Sequence, residues 1–192
     1  THDPRMDVVV DQLTGAHRHV KFAISRPIGP EGRLLPIIDR QLRQALQTAQ
    51  ARELDGLVLS TAGPADQCGA ERLARLARPW GAHHRLPCQT AIATEAEAGV
   101  VAAINQLRAQ GRRHIAVGSF FLAGDHLFDV QAHQAIRHGA VAVANPIQAA
   151  DPVLDIIMSR YFFAAMDLLD LGFEPNETDQ QPAPEPLTYS LD

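Results

Sequence analysis

The apolar positions of the chain fall into short runs that alternate with longer periodic segments. From residue 19 onward, runs rich in valine, isoleucine and alanine predict strands, and the segments between them carry apolar residues every three or four positions, as helices do. The predicted strands are 19–25, 55–61, 87–93, 113–120 and 140–145. Because these strands are apolar throughout and helices separate them, the pattern predicts a three-layer αβα fold with a mainly parallel sheet.

Caps and prolines set the boundaries of the predicted helices. Asp66 is a suitable N-cap, and Pro79 is expected to end the helix that Asp66 begins, since proline has no N–H for the helical ladder. Thr94 and Glu97 have the spacing of a capping box. Asp151, followed by a proline, begins the last helix. The predicted helices are 32–50, 66–78, 94–110, 127–138 and 151–171.

The chain resembles itself at a spacing of 119 residues. Segment 22–41 aligns with segment 141–160, and a Pro-Ile pair follows the predicted strand in both. With a gap of three residues, segment 7–13 also aligns with segment 129–135. The same residue pair after a strand, followed by the same helix pattern, predicts a repeated structural unit.

The repeat predicts a division of the chain into three parts. Residues 53–171 form one complete unit, and residues 1–52 correspond to the closing part of an incomplete first unit. Residues 172–192 hold four prolines among acidic and polar residues, which predicts a disordered tail.

Composition excludes several classes of protein. The chain carries 22 acidic against 17 basic residues, a net charge of −5, which argues against a nucleic-acid partner. It has no apolar run near the roughly 20 residues that span a bilayer, and no leader, so we expect a cytoplasmic protein without a membrane partner. Cys68 and Cys88 are expected to be core thiols. Neither a glycine-rich phosphate loop nor a Gly-x-Ser-x-Gly elbow is present.

The stretch SFFLAGDHLFDV, residues 119–130, brings candidate chemistry to the end of a predicted strand. Loops at the carboxyl ends of parallel strands bind ligands, and the neutral imidazole of His126 suits Co²⁺ or Fe²⁺. Asp129, one helical turn later, either orients that imidazole or caps the next helix. Asp125 fits a turn. Three phenylalanines either form an apolar wall for a flat ligand or pack the junction of strand and helix: Phe120, Phe121 and Phe128.

Four stretches resemble the sirohydrochlorin chelatases of the CbiX type. In that family the first strand is followed by a His-Gly-Ser/Thr-Arg turn, and a later strand by Phe-Leu-x-x-Gly-x-His and then an aspartate. Each unit closes with a Pro-Leu-Gly-like turn, then Asp/His-Pro, and then a helix that ends in Arg-Tyr. The resemblance spans about residues 5 to 165. It rests on the four stretches 57–66, 119–130, 144–161 and 25–42.

The resemblance implies a function and a set of site residues. Members insert cobalt or ferrous iron into a precursor of sirohaem or cobalamin, and many consist of two fused units. The implied fold is therefore chelatase-like, with flavodoxin-like repeat units. A tetrapyrrole is the implied partner, and Co²⁺ or Fe²⁺ enters as a substrate, with no organic cofactor. His126 would be the metal ligand and, with Asp129, catalytic. The tetrapyrrole would contact four residues: Phe120, Phe121, Gly124 and Phe128.

The chain departs from the family pattern at the first turn, where Ala62 stands in the position of the expected histidine. The spacing from His126 to Asp129 is also one residue shorter than in the family. Two other functions therefore stay open. One is a non-catalytic unit that pairs with an active one, and the other is a metal-binding module without a tetrapyrrole. We expect association with a second copy or with a missing first unit.

Overall fold

Four parallel strands form the centre of the fold. The structure is a computed structural model that describes residues 4–63, 67–94 and 99–170. The strands are β1 (Gly56–Ala62), β2 (Cys88–Ala93), β3 (Ile115–Phe120) and β4 (Ala140–Val143). Their order across the sheet is β2–β1–β3–β4, and every neighbouring pair is parallel. This is the order of the first four strands of flavodoxin-like sheets.

Helices cover both faces of this sheet. They are α1 (Pro4–Ala16), α2 (Leu35–Thr48), α3 (Gln67–His84), α4 (Val100–Ala109), α5 (His126–Arg137) and α6 (Asp151–Asp170), and a 3-10 turn at Gly32–Leu34 precedes α2. Helices α2 and α3 pack on one face, while α4 and α5 pack on the other. The predicted three-layer α/β fold with a parallel sheet is therefore confirmed.

The side chains of β1 show why the strands are apolar throughout. Leu57 and Leu59 pack in the cluster formed with α2 and α3, whereas Val58, between them, packs with α4. All three side chains are fully buried. Successive residues of a strand point to opposite faces, so a strand covered on both sides needs apolar residues at every position.

The strand predicted at 19–25 is wrong. Residues 21–31 form no helix or strand, and Val20 and Ile24 are 41% and 37% exposed. A β-branched run favours an extended backbone, but a strand also needs a neighbour that accepts its hydrogen bonds. Helix α1, which precedes this segment, was not among the predicted helices.

The predicted end of the second helix at Pro79 is also wrong, because α3 continues through Pro79 to His84. Trp80, the residue after the proline, is only 2% exposed, and its indole Nε1 donates a 2.6 Å hydrogen bond to Asp39 Oδ1 of α2. This tertiary contact compensates for the backbone hydrogen bond that Pro79 cannot make.

Several predicted features lie outside the described residues. These are the cap at Asp66, the Glu97 half of the capping box and the tail at 172–192. Helix α4 begins at Val100, after Gly99, rather than at Thr94. The division into units at residues 52 and 171 stays a prediction.

The two cysteines have different environments. Cys88, at the start of β2, is partly buried, and burial raises its pKa to about 12, so it is a thiol rather than a thiolate near neutral pH. Cys68 on α3 is exposed, and the prediction of a core thiol is wrong for it. None of the helices formed by the described residues is both long and apolar enough to cross a membrane.

Candidate functional site

The connections of the sheet diverge between β1 and β3. The chain leaves β1 towards β2 on one side and then returns to β3 on the other, so the connections diverge at this point. In open parallel sheets, ligands bind at the carboxyl ends of the strands where such a divergence occurs. The Thr61 hydroxyl donates a 3.1 Å hydrogen bond to the Phe120 carbonyl and so ties the two strand ends together.

The loop after β3 is held by the loop after β4. The backbone N–H of Ile147 donates to the Phe121 carbonyl at 2.8 Å, and that of Gln148 donates to the Leu122 carbonyl at 2.9 Å. Residues 122–125 of the first loop are exposed. The loop after β3 is therefore exposed, but hydrogen bonds from the loop after β4 hold its first residues in place. It lies at the end of β3, where the connections of the sheet diverge.

His126 is the first residue of α5, and its side chain is exposed at this edge. Asp125 is the N-cap of the helix, because its Oδ1 accepts a 2.8 Å hydrogen bond from the backbone N–H of Phe128. The alternative assignment of Asp129 as the cap is wrong, since Asp129 lies within the first turn. Both aspartates precede apolar helical residues, and the sequence alone does not distinguish a cap from an acidic first turn.

The structure shows no bond between His126 and Asp129. Among the described residues no hydrogen bond or ion pair joins these two side chains. Asp129 instead lines a shallow groove along α5 with His133 and Arg137. The role of Asp129 in orienting His126 stays a prediction.

The three phenylalanines mark the junction of β3 with α5. Phe120 and Phe121 are 5% and 3% exposed, and the ring of Phe121 lies edge-on to that of Phe128, with centroids 5.5 Å apart. Phe128 is half-buried, and Leu122 in the preceding loop is 39% exposed. Phe128 and Leu122 therefore offer exposed apolar surface near this junction, and sequence reasoning missed Leu122.

Gly124 leaves open space in the exposed loop. A Cβ at this position would meet Pro146 Cγ at 3.9 Å, an ordinary contact. Packing within the protein therefore does not require glycine here.

Ala62 is the last residue of β1 and is half-buried. It occupies the place where the family resemblance expects the first histidine. In the described loops at the carboxyl ends of the strands (61–63, 94, 121–126 and 144–150), His126 is the only histidine.

Sequence reasoning missed a set of buried polar groups beneath this edge. Ser60 and Ser119 are partners across β1 and β3, and each is 1% exposed. In the described part of the chain neither hydroxyl has a hydrogen-bond partner. Gln131 of α5 is 2% exposed, and its side-chain amide nitrogen and oxygen also have no partner among the described residues. The two serines follow Val58 and Val117 by two positions and so share their face, towards α4 and α5.

Comparisons with known proteins found similarity to solved structures. No family model matches this chain, and no curated protein matches it. The crystal structure of a CbiX protein of cobalamin (vitamin B12) biosynthesis from Marinobacter aquaeolei VT8 is similar over 62% of this chain and 99% of that chain, with 23% sequence identity and a TM-score of 0.41. The fold of this chain is established by its own sheet and helices.

Proposed function

We propose that this protein is a tetrapyrrole metal chelatase of the sirohydrochlorin chelatase type, which inserts Co²⁺ or Fe²⁺ into a precursor of cobalamin or sirohaem. The observation that carries the proposal is the position of His126. Its imidazole is exposed at the carboxyl edge of the sheet, beside the divergence of β1 and β3, where such folds bind ligands. The motif around it, Gly124-Asp125-His126, is the stretch that resembles the family.

Metal insertion requires that two pyrrole N–H protons leave as the divalent ion enters the macrocycle. A neutral imidazole accepts protons near neutral pH and also binds borderline divalent ions reversibly. His126 would therefore deliver the ion and, once its lone pair is free again, take one pyrrole proton, while the second pyrrole proton passes to solvent water. Asp129, on the same turn of α5, would accept a hydrogen bond from the imidazole N–H, on the ring nitrogen that does not bind the ion, once the side chains rearrange around a substrate.

The apolar part of the site would hold the macrocycle. Phe128 and Leu122 present apolar surface beside His126, and the open space at Gly124 allows a flat ligand to approach the backbone. Phe120 and Phe121 would support this surface from within the core, since both are buried.

The experiment that tests this function is an anaerobic insertion assay. The chain is mixed with sirohydrochlorin and Co²⁺, and the visible spectrum of the macrocycle is followed. We expect insertion well above the uncatalysed rate, with a loss of at least about tenfold in His126→Ala. His133→Ala, another exposed histidine on α5, is the matched control and should retain the rate. Equal rates with and without the unmutated chain would contradict the proposal.

A second function is favoured by Ala62. If chelation requires a histidine at the end of β1 as well, this chain is a non-catalytic unit that supports an active one. The unmutated chain would then bind the tetrapyrrole without inserting metal, and Ala62→His would bring insertion. A chain that binds Co²⁺ but no tetrapyrrole would instead be a metal-binding module.

We propose, along with this function, that the protein pairs with a second copy of itself through α6. Four residues of this helix are each at least 62% exposed: Met158, Tyr161, Phe162 and Phe163. Met158, Tyr161 and Phe162 have the i, i+3, i+4 spacing of one helix face. Exposed apolar surface of this kind marks interaction sites, and such a face can pair with its own copy about a twofold axis.

Sedimentation at increasing concentration tests the pairing. We expect a dimer that Phe162→Glu dissociates. Ile136→Glu, at an exposed position on α5, should leave it intact. A monomer at the highest concentration would contradict pairing between copies.

A further inference from the structure

A buried carboxylate lies between α2 and α3. Asp39 of α2 is 8% exposed, and among the described residues its only ion-pair partner is His84. A carboxylate removed from water is costly unless a positive charge or a set of donors compensates for it. Among the described residues, the compensation for this carboxylate comes from groups of α3.

The last turn of α3 supplies the partners of this carboxylate. Trp80 and His84 are four residues apart and share one face of the helix. Trp80 Nε1 donates to Asp39 Oδ1 at 2.6 Å, and His84 Nε2 lies 2.8 Å from the same oxygen. The ring of His83 is next to that of His84, with centroids 5.0 Å apart.

We propose that Asp39, His83 and His84 bind a divalent cation of the borderline class, such as Co²⁺, Ni²⁺ or Zn²⁺. One ligand atom from each of the three side chains can be chosen so that all lie within 4.8 Å of one another. Two imidazoles and one carboxylate are a ligand set that these metals and Fe²⁺ use in proteins, with water in the remaining positions.

The separation of the pair fits two ligands of one ion as well as it fits a hydrogen bond. Two adjacent ligand atoms, each about 2.1 Å from an ion and about 90° apart, are about 3 Å from each other. The 2.8 Å separation of His84 Nε2 from Asp39 Oδ1 already has this length. The indole N–H of Trp80 fixes the carboxylate, as a group behind a metal ligand does. His83 is exposed, so its ring can turn to complete the site.

This site is distinct from the one around His126. The last turn of α3 leads directly into the amino end of β2 at Cys88, whereas His126 follows the carboxyl end of β3. The two clusters therefore lie at opposite edges of the sheet. The metal proposal does not depend on the chelatase function, and an ion here would join α2 to α3.

The single tryptophan of the chain gives a direct readout. Trp80 donates its indole N–H to the proposed ligand Asp39, so a paramagnetic ion bound there quenches its fluorescence. We expect Co²⁺ to quench the emission of the unmutated chain saturably, and Zn²⁺ to restore it by competition. His83→Ala should weaken Co²⁺ binding by about tenfold or more, while His126→Ala and His133→Ala should change it less than about twofold.

The variant His83→Ala keeps the test independent of folding, because the His83 side chain is exposed. Asp39→Asn is less informative, since it also alters the bond to buried Trp80. A second measurement is the melting temperature, which Zn²⁺ should raise in the unmutated chain and in His133→Ala but not in His83→Ala. Equal quenching in His83→Ala and the unmutated chain, or quenching that never saturates, would overturn the proposal.

Discussion

The benzo ring of Trp80 lies directly over Gly118 in β3. A Cβ at position 118 would be 2.5 Å from Trp80 Cη2 and 2.9 Å from Ile38 Cγ2. The lack of a side chain at Gly118 therefore allows both α2 and α3 to approach the centre of the sheet. The same approach brings Trp80 within reach of Asp39.

Gly118→Ala should destabilise the protein. The added methyl group forces Trp80 and Ile38 away from the sheet, and overpacking of this kind costs about 2 kcal/mol. The measurement is urea unfolding followed by the fluorescence of Trp80. Gly124→Ala is the control, because its new Cβ meets nothing closer than 3.9 Å, and it should change the free energy of unfolding by less than about 0.5 kcal/mol. If Gly118→Ala changed the free energy of unfolding as little as the control is expected to, Trp80 would be shown to adjust without cost.

The sequence predicted the strands that have neighbours and failed on the one that does not. The runs at 55–61, 87–93, 113–120 and 140–145 correspond to β1 to β4. Segment 19–25 has the same pattern but no neighbouring strand in the described residues. Local pattern reports which residues suit a sheet, whereas the presence of a neighbour is a property of the whole fold.

Side-chain contacts between distant helices could not be predicted. Asp39 and His84 are 45 residues apart, and their contact depends on how α2 and α3 rotate against each other. His126 could be placed, because it follows a buried strand, and all parallel strands end at one edge of the sheet. The place of a residue along a helix or strand can thus be predicted from the sequence, whereas contacts between side chains of different helices cannot.

Asp125→Ala should weaken the start of α5. The substitution removes the acceptor for the Phe128 N–H and should cost about 1 kcal/mol of stability, whereas Asp125→Asn, which retains an oxygen, should cost less. Thermal or urea unfolding of both variants measures the difference. Asp129→Ala is the comparison. If it destabilised as much as Asp125→Ala, the assignment of Asp125 as the cap would be wrong.

Gln131→Leu should stabilise the protein. The side chain of Gln131 is buried, and neither of its amide atoms has a hydrogen-bond partner in the described part of the chain. Removing unsatisfied buried polar atoms recovers their desolvation cost, which is about 1–3 kcal/mol. A rise in the midpoint of urea unfolding with an unchanged slope is the expected result. A fall would indicate that ordered water bonds the amide.

Gln134→Leu is the matched control for that variant. Gln134 is also on α5 but only partly buried, so its replacement should leave stability within about 0.5 kcal/mol. A similar rise in both variants would point to helix propensity rather than to the unsatisfied amide.

Asp55 should make the stability of the protein depend on pH in the acid range. Burial alone would raise its pKa, but the backbone N–H groups of Arg113 and His114 outweigh that effect and hold the pKa of Asp55 below the ordinary value of 3.8. Its carboxylate accepts bonds of 2.9 Å from Arg113 N and 2.8 Å from His114 N. The folded state therefore favours the charged form.

A depressed pKa in the folded state stabilises the protein above the ordinary pKa, and this contribution is lost as pH falls through the folded-state value. Asp55→Asn should therefore lower the free energy of unfolding by about 1–2 kcal/mol near neutral pH, and the difference from the unmutated chain should shrink in acid. Urea unfolding over a pH series measures it. Glu53→Gln is the control, because its exposed pair with His114 contributes little at any pH. A pH-independent effect of Asp55→Asn would mean that the lost packing or hydrogen-bond geometry, rather than the charge, is responsible.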